Sequence, residues 1–161
     1  MSFTETLNAY SLFIVFPLFM LSLAFFLPVK RWRLRAPIYV GVVVVAVLAY
    51  AFIRPGNSTV ASTDEANQVL ASGEPVFIEF FSNNCALCLA SQPRVMSLES
   101  KIDGRAEVMK LNVQDSISLP IMRRFNAFST PTFVVVNGDQ VWKQNGAILD
   151  TGQALEALGL S

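Results

Sequence analysis

Over residues 63–160, apolar strand patterns alternate with helical patterns, which limits the chain to a small number of layered folds. Buried strands are predicted for "PVFIEFF", "EVMKLNV" and "TFVVV". A further strand, "QVWKQ", follows across Asn137-Gly138-Asp139, and Asn-Gly is the strongest short signal for a β-hairpin. Helical patterns are predicted from Ser62 or Thr63 to Ala71, in "CALCLASQPRVMSLESKI", in "DSISLPIMRRFN" and in "DTGQALEALGL". The order αβαβαββα indicates parallel strand pairing with an antiparallel hairpin at one edge.

The first third of the chain contains two stretches without any charged residue, from Thr6 to Val29 and from Ala36 to Ile53. They raise the hydrophobic content to 53% and the mean hydropathy to +0.47, which is high for a domain of this size. A membrane-spanning helix needs about 20 apolar residues. The stretches predict two spans, at about 9–28 and 36–53. The alternative is a pair of buried helices, although such helices normally keep a polar stripe.

Basic residues between these stretches set the predicted orientation. Lys30, Arg31, Arg33 and Arg35 form a short cationic loop, and such loops stay on the cytoplasmic side. The leader has no Lys or Arg, and Glu5 has the wrong sign for a cleaved signal peptide. We therefore expect an integral membrane protein whose two termini are both extracytoplasmic. The expected division is a two-helix transmembrane hairpin over 1–54, a linker over 55–62 and a compact domain over 63–161.

The balance of charge argues against nucleic-acid binding. From Arg54 onward the chain has eight Lys or Arg and eleven Asp or Glu, which is a net charge of −3. A nucleic-acid-binding domain needs a basic face.

Cys85 and Cys88 are the two cysteines of the chain, and they lie between a predicted strand and a predicted helix. Free N–H groups and the helix dipole stabilise a thiolate at a helix N-terminus, and the thiolate is the reactive form. Cys88, nearly one turn later, is placed to attack a mixed disulfide at Cys85. Two other interpretations stay open: a structural disulfide, and a zinc site shared between chains. Tetrahedral zinc takes four ligands, and this chain has neither a third Cys nor a His, so no metal or other cofactor is expected.

Several motifs together resemble the thioredoxin family. They are "FIEFFSNNCALCLASQP", "KLNV", "STPTFVVVNGDQV" and "NGA", and the resemblance covers roughly Thr63 to Leu160. Membrane-anchored, extracytoplasmic thioredoxin-like proteins, including those that serve cytochrome c maturation, are the most similar in arrangement. The resemblance implies an α/β thioredoxin-like domain, a mixed central sheet flanked by helices, preceded here by an α-helical transmembrane hairpin.

The family's site residues are carried over position by position. Cys85 resembles the attacking cysteine and Cys88 the resolving one. Pro93 resembles the proline that kinks the active-site helix, and Pro131 in "STPT" resembles the cis-proline that faces the cysteines. With Pro131 cis, the backbone of Thr130 is expected to pair with a substrate strand. The alternative is an ordinary trans-proline at the start of an edge strand.

Glu79 and Lys110 resemble a buried ionic pair below the active site. Glu79 stands where the family usually has Asp, in a strand that is otherwise apolar. A buried carboxylate is costly unless it is paired or protonated, and its expected role is to take the proton of Cys88. Lys110 in "KLNV" resembles the lysine that pairs with this acid. The alternative places Glu79 on the solvent face of its strand.

The sequence departs from the family pattern beside the cysteines. Asn84 stands where Trp is usual, and Ala86-Leu87 stands where Gly-Pro is frequent. These three residues are expected to contact substrates and to tune the redox potential, because about 30 mV corresponds to only 1.4 kcal/mol.

The resemblance implies a membrane-tethered thiol-disulfide oxidoreductase, a reductase by analogy, that acts on extracytoplasmic cysteine-containing proteins. Neither predicted span contains a cysteine, so a separate membrane redox partner is expected to recycle the disulfide. A second hypothesis comes from a different class. In it the chain is a non-catalytic accessory subunit of a membrane complex, and the thioredoxin-like domain is a binding module.

Overall fold

The computed structural model describes residues 10–26 and 32–160. Two helices come first, and eight further elements follow in the order αβαβαββα, which confirms the prediction. The elements are α1 (Leu12–Phe26), α2 (Trp32–Ile53), α3 (Thr63–Ala71), β1 (Val76–Phe81), α4 (Ala86–Ile102), β2 (Glu107–Asn112), α5 (Ser118–Phe125), β3 (Thr132–Asn137), β4 (Gln140–Asn145) and α6 (Thr151–Ala157).

A mixed sheet of four strands, in the order β2-β1-β3-β4, forms the centre of the domain. Strand β1 pairs in parallel with β2, and β3 pairs antiparallel with both β1 and β4. The antiparallel β1–β3 pair differs from the predicted parallel pairing, because β3 begins beside the end of β1, with Thr132 opposite Phe80. This reversal brings the loop before β3 next to the loop after β1, where the two cysteines lie.

Helices cover both faces of the sheet. Successive residues of a strand point to opposite faces, so each strand contributes side chains to a core on either side. One core contains Ile78 and Phe80 of β1 and receives partly or fully buried side chains of α3 and α5. The other contains Phe77 and Phe133, whose rings stack at 6.1 Å, together with side chains of α4 and α6. All six residues of β1 are buried, which explains its nearly continuous apolar sequence.

Short polar signals set the ends of the elements. The Ser62 side chain accepts a hydrogen bond from the Glu65 N–H and caps α3, as predicted. Gly138 has a φ of 57° in the β3–β4 turn, a left-handed conformation that suits glycine.

Part of the predicted linker packs against the domain. The Thr59 N–H donates to the Lys110 carbonyl at 2.9 Å, and the Lys110 N–H donates to Thr59 Oγ1 at 2.9 Å. Gly56 exchanges two hydrogen bonds with the side chain of Asn83, at 3.1 and 2.7 Å. The boundary between linker and domain at residue 63 stays a prediction.

The two predicted membrane spans are not found. Helix α1 has 15 residues and a length of about 22 Å, which is short of a hydrocarbon core about 30 Å thick. Within residues 10–26 and 32–160, no helix combines the length and apolarity that crossing a membrane requires. The predictions of a transmembrane hairpin and of a two-span protein with extracytoplasmic termini are therefore wrong.

Other predictions depended on those spans. Because no span is found among the described residues, the predicted membrane redox partner and lipid bilayer are not supported as partners. The leader before Tyr10 and two residues of the basic loop, Lys30 and Arg31, lie outside the described residues.

Candidate active site

The two cysteines lie where β1 ends and α4 begins. Cys85 has extended backbone angles and is the N-cap of α4, and its Sγ accepts a hydrogen bond from the Cys88 N–H at 3.2 Å. The Cys85 thiol also donates to the Thr130 carbonyl at 3.5 Å. Both thiols are free and buried, and they pack against Phe81. The helix start therefore directs a backbone donor at Cys85, as the sequence predicts.

The environment of Cys85 favours its thiolate. The hydrogen bond from the Cys88 side chain, together with Thr130 and the backbone N–H groups of Cys88 and Leu87, lowers the pKa of Cys85 to about 6, against the opposing effect of burial. At neutral pH this sulfur is therefore mostly ionised.

Cys88 has the opposite character. Burial raises the pKa of Cys88 far above its ordinary value, and the hydrogen bond to Cys85 and the charges of Cys85 and Glu79 raise it further. The Cys85 sulfur is thus suited to act as a nucleophile, whereas Cys88 keeps its proton at neutral pH.

Glu79 is fully buried on the β1 face that points toward α4, so the solvent-facing alternative is wrong. Its Oε1 accepts a hydrogen bond from Gln92 Nε2 at 2.9 Å. Burial raises the pKa of Glu79 to about 7, while Lys110 and the Gln92 hydrogen bond oppose that rise. A carboxyl group with this pKa can both accept and release a proton near neutral pH.

Lys110 lies beside Glu79 in the parallel register of β1 and β2, but its hydrogen-bonding partner is a different acid. Its Nζ forms an ion pair with Glu99 of α4 at 2.8 Å. Lys110 therefore acts on Glu79 through its charge, whereas the sequence had predicted a direct pair.

The Thr130–Pro131 peptide bond is cis, which confirms the prediction and excludes the trans alternative. Because β3 begins beside the end of β1, this bond faces the cysteine pair, and the Thr130 carbonyl reaches Cys85. Asn84, Ala86 and Leu87, which flank Cys85 in the chain, are partly buried.

Residues 10–12, at the start of α1, lie against this site, and the sequence did not predict that contact. The Leu12 N–H donates to the Asn84 carbonyl at 2.9 Å, and Ser11 Oγ accepts from the Ala86 N–H at 3.0 Å. The Tyr10 hydroxyl accepts from Gln114 Nε2 at 3.0 Å. Helices α1 and α2 line an open apolar pocket of about 570 Å³ together with Leu89 and Ala90 of α4. The sequence did not indicate this contact, because Tyr10, Ser11 and Leu12 belong to a charge-free stretch that predicts a membrane span.

Gln92 is a further residue of the site that the sequence did not predict. It stands four positions after Cys88, so both residues lie on one face of α4. The spacing from Cys88 and the presence of a long polar side chain on a buried helix face could have indicated Gln92 from the sequence.

In the part of the chain that the structure describes, no three or more His, Cys, Asp or Glu side chains are close enough together to hold a metal ion.

Comparisons with known proteins agree with this geometry. The sequence model of the thioredoxin family matches residues 58–157. Thioredoxin 1 of Chlorobaculum tepidum is 35% identical over 75 residues, which are 46% of this chain and 72% of that protein. Thiol:disulfide interchange protein TxlA of Synechococcus elongatus is 29% identical over 69 residues, which are 43% of this chain but only 36% of TxlA.

Solved structures show the same fold. Mitochondrial thioredoxin 3 of Saccharomyces cerevisiae, in its oxidised form, superposes with a TM-score of 0.52 at 20% identity. The superposition covers 69% of this chain and 97% of that structure.

Proposed function

Because this chain belongs to the thioredoxin family, we propose that it is a thiol-disulfide oxidoreductase that exchanges disulfides with cysteine-containing proteins through Cys85 and Cys88. The observation that carries the proposal is the asymmetry of the pair, in which the pKa of Cys85 is lowered to about 6 while that of Cys88 is raised. The similar proteins, which include a thioredoxin and a thiol:disulfide interchange protein, support the same activity.

The first step is attack by the Cys85 thiolate on a substrate disulfide. Its sulfur forms a bond to one substrate sulfur, and the other substrate sulfur leaves as a thiolate with the electron pair of the broken bond. The backbone N–H of Cys88 stabilises the Cys85 thiolate before attack. A pKa of about 6 keeps the nucleophile ionised at pH 7 without making it a weak attacker.

The second step releases the substrate. Cys88 gives its proton to Glu79 and attacks Cys85 Sγ, so a Cys85–Cys88 disulfide forms and the second substrate sulfur leaves reduced. Burial keeps Cys88 protonated before this step, so that a base is required. Glu79 is buried near the pair, and a pKa of about 7 allows its carboxyl group to take up a proton near neutral pH.

The substrate is expected to bind across the loops that carry the two cysteines and the cis-proline. Thr130 precedes the cis bond, so its backbone would pair with an extended segment of the substrate beside Cys85. Asn84, Ala86 and Leu87 would contact the residues that flank the substrate cysteine. The two small or apolar side chains between the cysteines suit an apolar substrate surface.

We further propose that the reaction runs in the reducing direction. A strongly lowered pKa stabilises the reduced dithiol and makes a disulfide oxidising. Thioredoxin itself has an attacking cysteine with a pKa of about 7, and a strongly oxidising protein of the same fold has one of about 3.5. The value of about 6 for Cys85 is nearer the former. A separate thiol donor must then reduce the Cys85–Cys88 disulfide again.

Reduction of insulin by the full chain, with dithiothreitol as the electron donor, tests the activity. We expect turnover above the dithiothreitol background by the wild type and none by Cys85→Ser. Reduced Cys88→Ser, mixed with insulin after the dithiothreitol has been removed, should form a stable mixed disulfide through Cys85. Ser97→Ala changes an exposed serine of α4 and should match the wild type. A folded wild-type protein without turnover would instead support the binding-module hypothesis.

Equilibration of the pair against dithiothreitol tests the direction. A reductase should have a potential nearer about −270 mV than about −120 mV. A potential near −120 mV would assign the oxidising direction.

A further inference from the structure

We propose that Gln92 is a positioning residue for resolution: it holds one oxygen of the Glu79 carboxyl group so that the other oxygen is left to take the proton of Cys88. The proposal rests on the proposed function, in which Cys88 resolves the mixed disulfide. It assigns a role to Gln92, whose side chain in the described structure is hydrogen-bonded to Glu79 and not to either cysteine sulfur.

The geometry separates the two oxygens of Glu79. Gln92 is 4% exposed, and its Nε2 donates to Oε1 at 2.9 Å. Among the described residues, Oε2 is buried and has no hydrogen-bond partner. A buried oxygen without a partner is costly, so its retention points to a transient partner during the reaction. Cys88 fits that partner, because it lies one helical turn before Gln92 on the same buried face of α4, and the charge of Glu79 raises its pKa.

The other charged and titratable groups around Glu79 do not replace Gln92. Lys110 of β2 acts on Glu79 through its charge, but its ammonium group is ion-paired with Glu99 of α4. Glu99 and Cys85 act in the opposite direction and raise the pKa of Glu79. Gln92 is the neutral donor in this set. A neutral amide orients the carboxyl group and, unlike a cation at the same distance, does not fix it in the ionised form that binds a proton weakly.

The two steps can be observed separately with an aromatic disulfide, 5,5′-dithiobis(2-nitrobenzoate), and the reduced full chain. Attack by Cys85 releases one nitrothiobenzoate thiolate and leaves a mixed disulfide. Attack by Cys88 on Cys85 Sγ, with its proton passing to Glu79, then releases the second thiolate. Stopped-flow absorbance gives the rate of each release as a function of pH.

Gln92→Met removes the donor and keeps an unbranched side chain of similar length. Without the donor the charged carboxylate loses a charge-assisted hydrogen bond, so the pKa of Glu79 should rise by about one unit. We expect the second release to be about fivefold slower at pH 7, to recover by pH 9, and to have an alkaline-shifted midpoint. The first release should keep its rate and its pH dependence.

Gln92→Glu is a second variant that tests whether a packing defect explains the result for Gln92→Met. It keeps a polar side chain but places a second carboxyl group beside Glu79, and two such groups raise each other's pKa. The second release should again shift to higher pH. Ser91→Ala, which removes a neighbouring buried hydroxyl that has no partner among the described residues, should leave both releases unchanged.

The outcomes separate this inference from the proposed function. An unchanged pH midpoint of the second release in Gln92→Met and Gln92→Glu, or an equal shift in Ser91→Ala, would overturn the role of Gln92 alone. A wild-type protein that releases no second thiolate would overturn the proposed function itself. In the Glu79→Gln background, Gln92→Met should cause no further shift, and an additional shift there would show that Gln92 acts independently of Glu79.

Discussion

At the scale of single residues, the site depends on how burial and hydrogen bonding divide protons among Cys85, Cys88 and Glu79. All three are fully buried, and burial alone would keep each of them neutral. Cys85 departs from that rule because side-chain and backbone donors surround its sulfur. Cys88 and Glu79 follow the rule, so each retains a proton at a higher pH than it would in water.

The raised pKa of Glu79 makes stability depend on pH. The native state holds this proton up to pH about 7, whereas the unfolded chain releases it at about 4.5, so the protein should lose stability as pH rises through this window. The contribution of Glu79 to this loss should reach about 2 kcal/mol by pH 6, above which the lowered pKa of Cys85 adds stability in the opposite direction. Glu79→Gln should remove that pH dependence in urea unfolding of the reduced protein. Glu107→Gln, an exposed acid at the start of β2, should preserve it, and equal curves for the two variants would contradict the account.

The lowered pKa of Cys85 should depend on the thiol of Cys88. Cys88→Ala removes that donor, and the pKa of Cys85 should then rise by about one unit. Cys88→Ser keeps a hydroxyl donor and should cause a smaller rise. The midpoint of the rate of iodoacetamide alkylation against pH, followed by mass spectrometry, measures both. The same midpoint in wild type and Cys88→Ala would assign the effect to the backbone donors instead.

At the scale of elements, the site forms where three segments meet: the end of β1, the start of α4 and the loop before β3. The antiparallel pairing of β1 with β3 places the cis Thr130–Pro131 bond beside Cys85. The segment that begins α1 adds a fourth contact, through Ser11 on the Ala86 N–H and Leu12 on the Asn84 carbonyl. These two hydrogen bonds place residues 11 and 12 beside the segment that carries Cys85.

Weakening the α1 contact should expose Cys85. Ser11→Ala removes the acceptor for the Ala86 N–H, and a hydrogen bond of about 1 kcal/mol corresponds to about a fivefold change in the population of the uncovered site. We expect Cys85 alkylation at pH 8 to accelerate by about that factor. Ser11→Thr keeps the hydroxyl and should react at the wild-type rate. If both variants match the wild type, then the contact does not limit access.

At the scale of the whole molecule, the sheet separates two apolar cores and holds the acid of the active site between β1 and α4. Phe77 and Glu79 share one face of β1, so the strand that supplies the second core also carries the proposed proton acceptor. The structure of the site is therefore tied to the packing of the domain below it.

Loss of one central ring should accordingly destabilise the whole domain. Phe77→Ala removes a fully buried ring that stacks on Phe133, and we expect a loss of about 3–5 kcal/mol in the free energy of unfolding. Met96→Ala, at a position of α4 that is 62% exposed, should change it by no more than about 0.5 kcal/mol. Urea unfolding monitored by circular dichroism compares them, and similar losses for both would contradict the assignment of the core.

Local patterns in the sequence determined the order of the elements, the cap at Ser62, the Asn137-Gly138 turn and the position of Cys85 at a helix start. Each of these depends on residues close together in the chain, so propensity and spacing suffice to predict it. The two charge-free stretches led to a wrong prediction because hydropathy records composition and not where a helix begins and ends. In the described structure, α1 has 15 residues, and apolar side chains such as Phe13 and Leu21 are exposed on it.

Only the tertiary structure decided which distant groups meet. Glu79 receives its hydrogen bond from Gln92, Lys110 pairs with Glu99, and Ser11 reaches Ala86 from 75 positions away. No local pattern distinguishes Gln92 from Lys110 as the partner of a buried acid, because both are long polar donors and the outcome depends on how α4 crosses β1 and β2. The pKa values of the site have the same origin, since burial and the approach of donors exist only once the sheet and helices have packed.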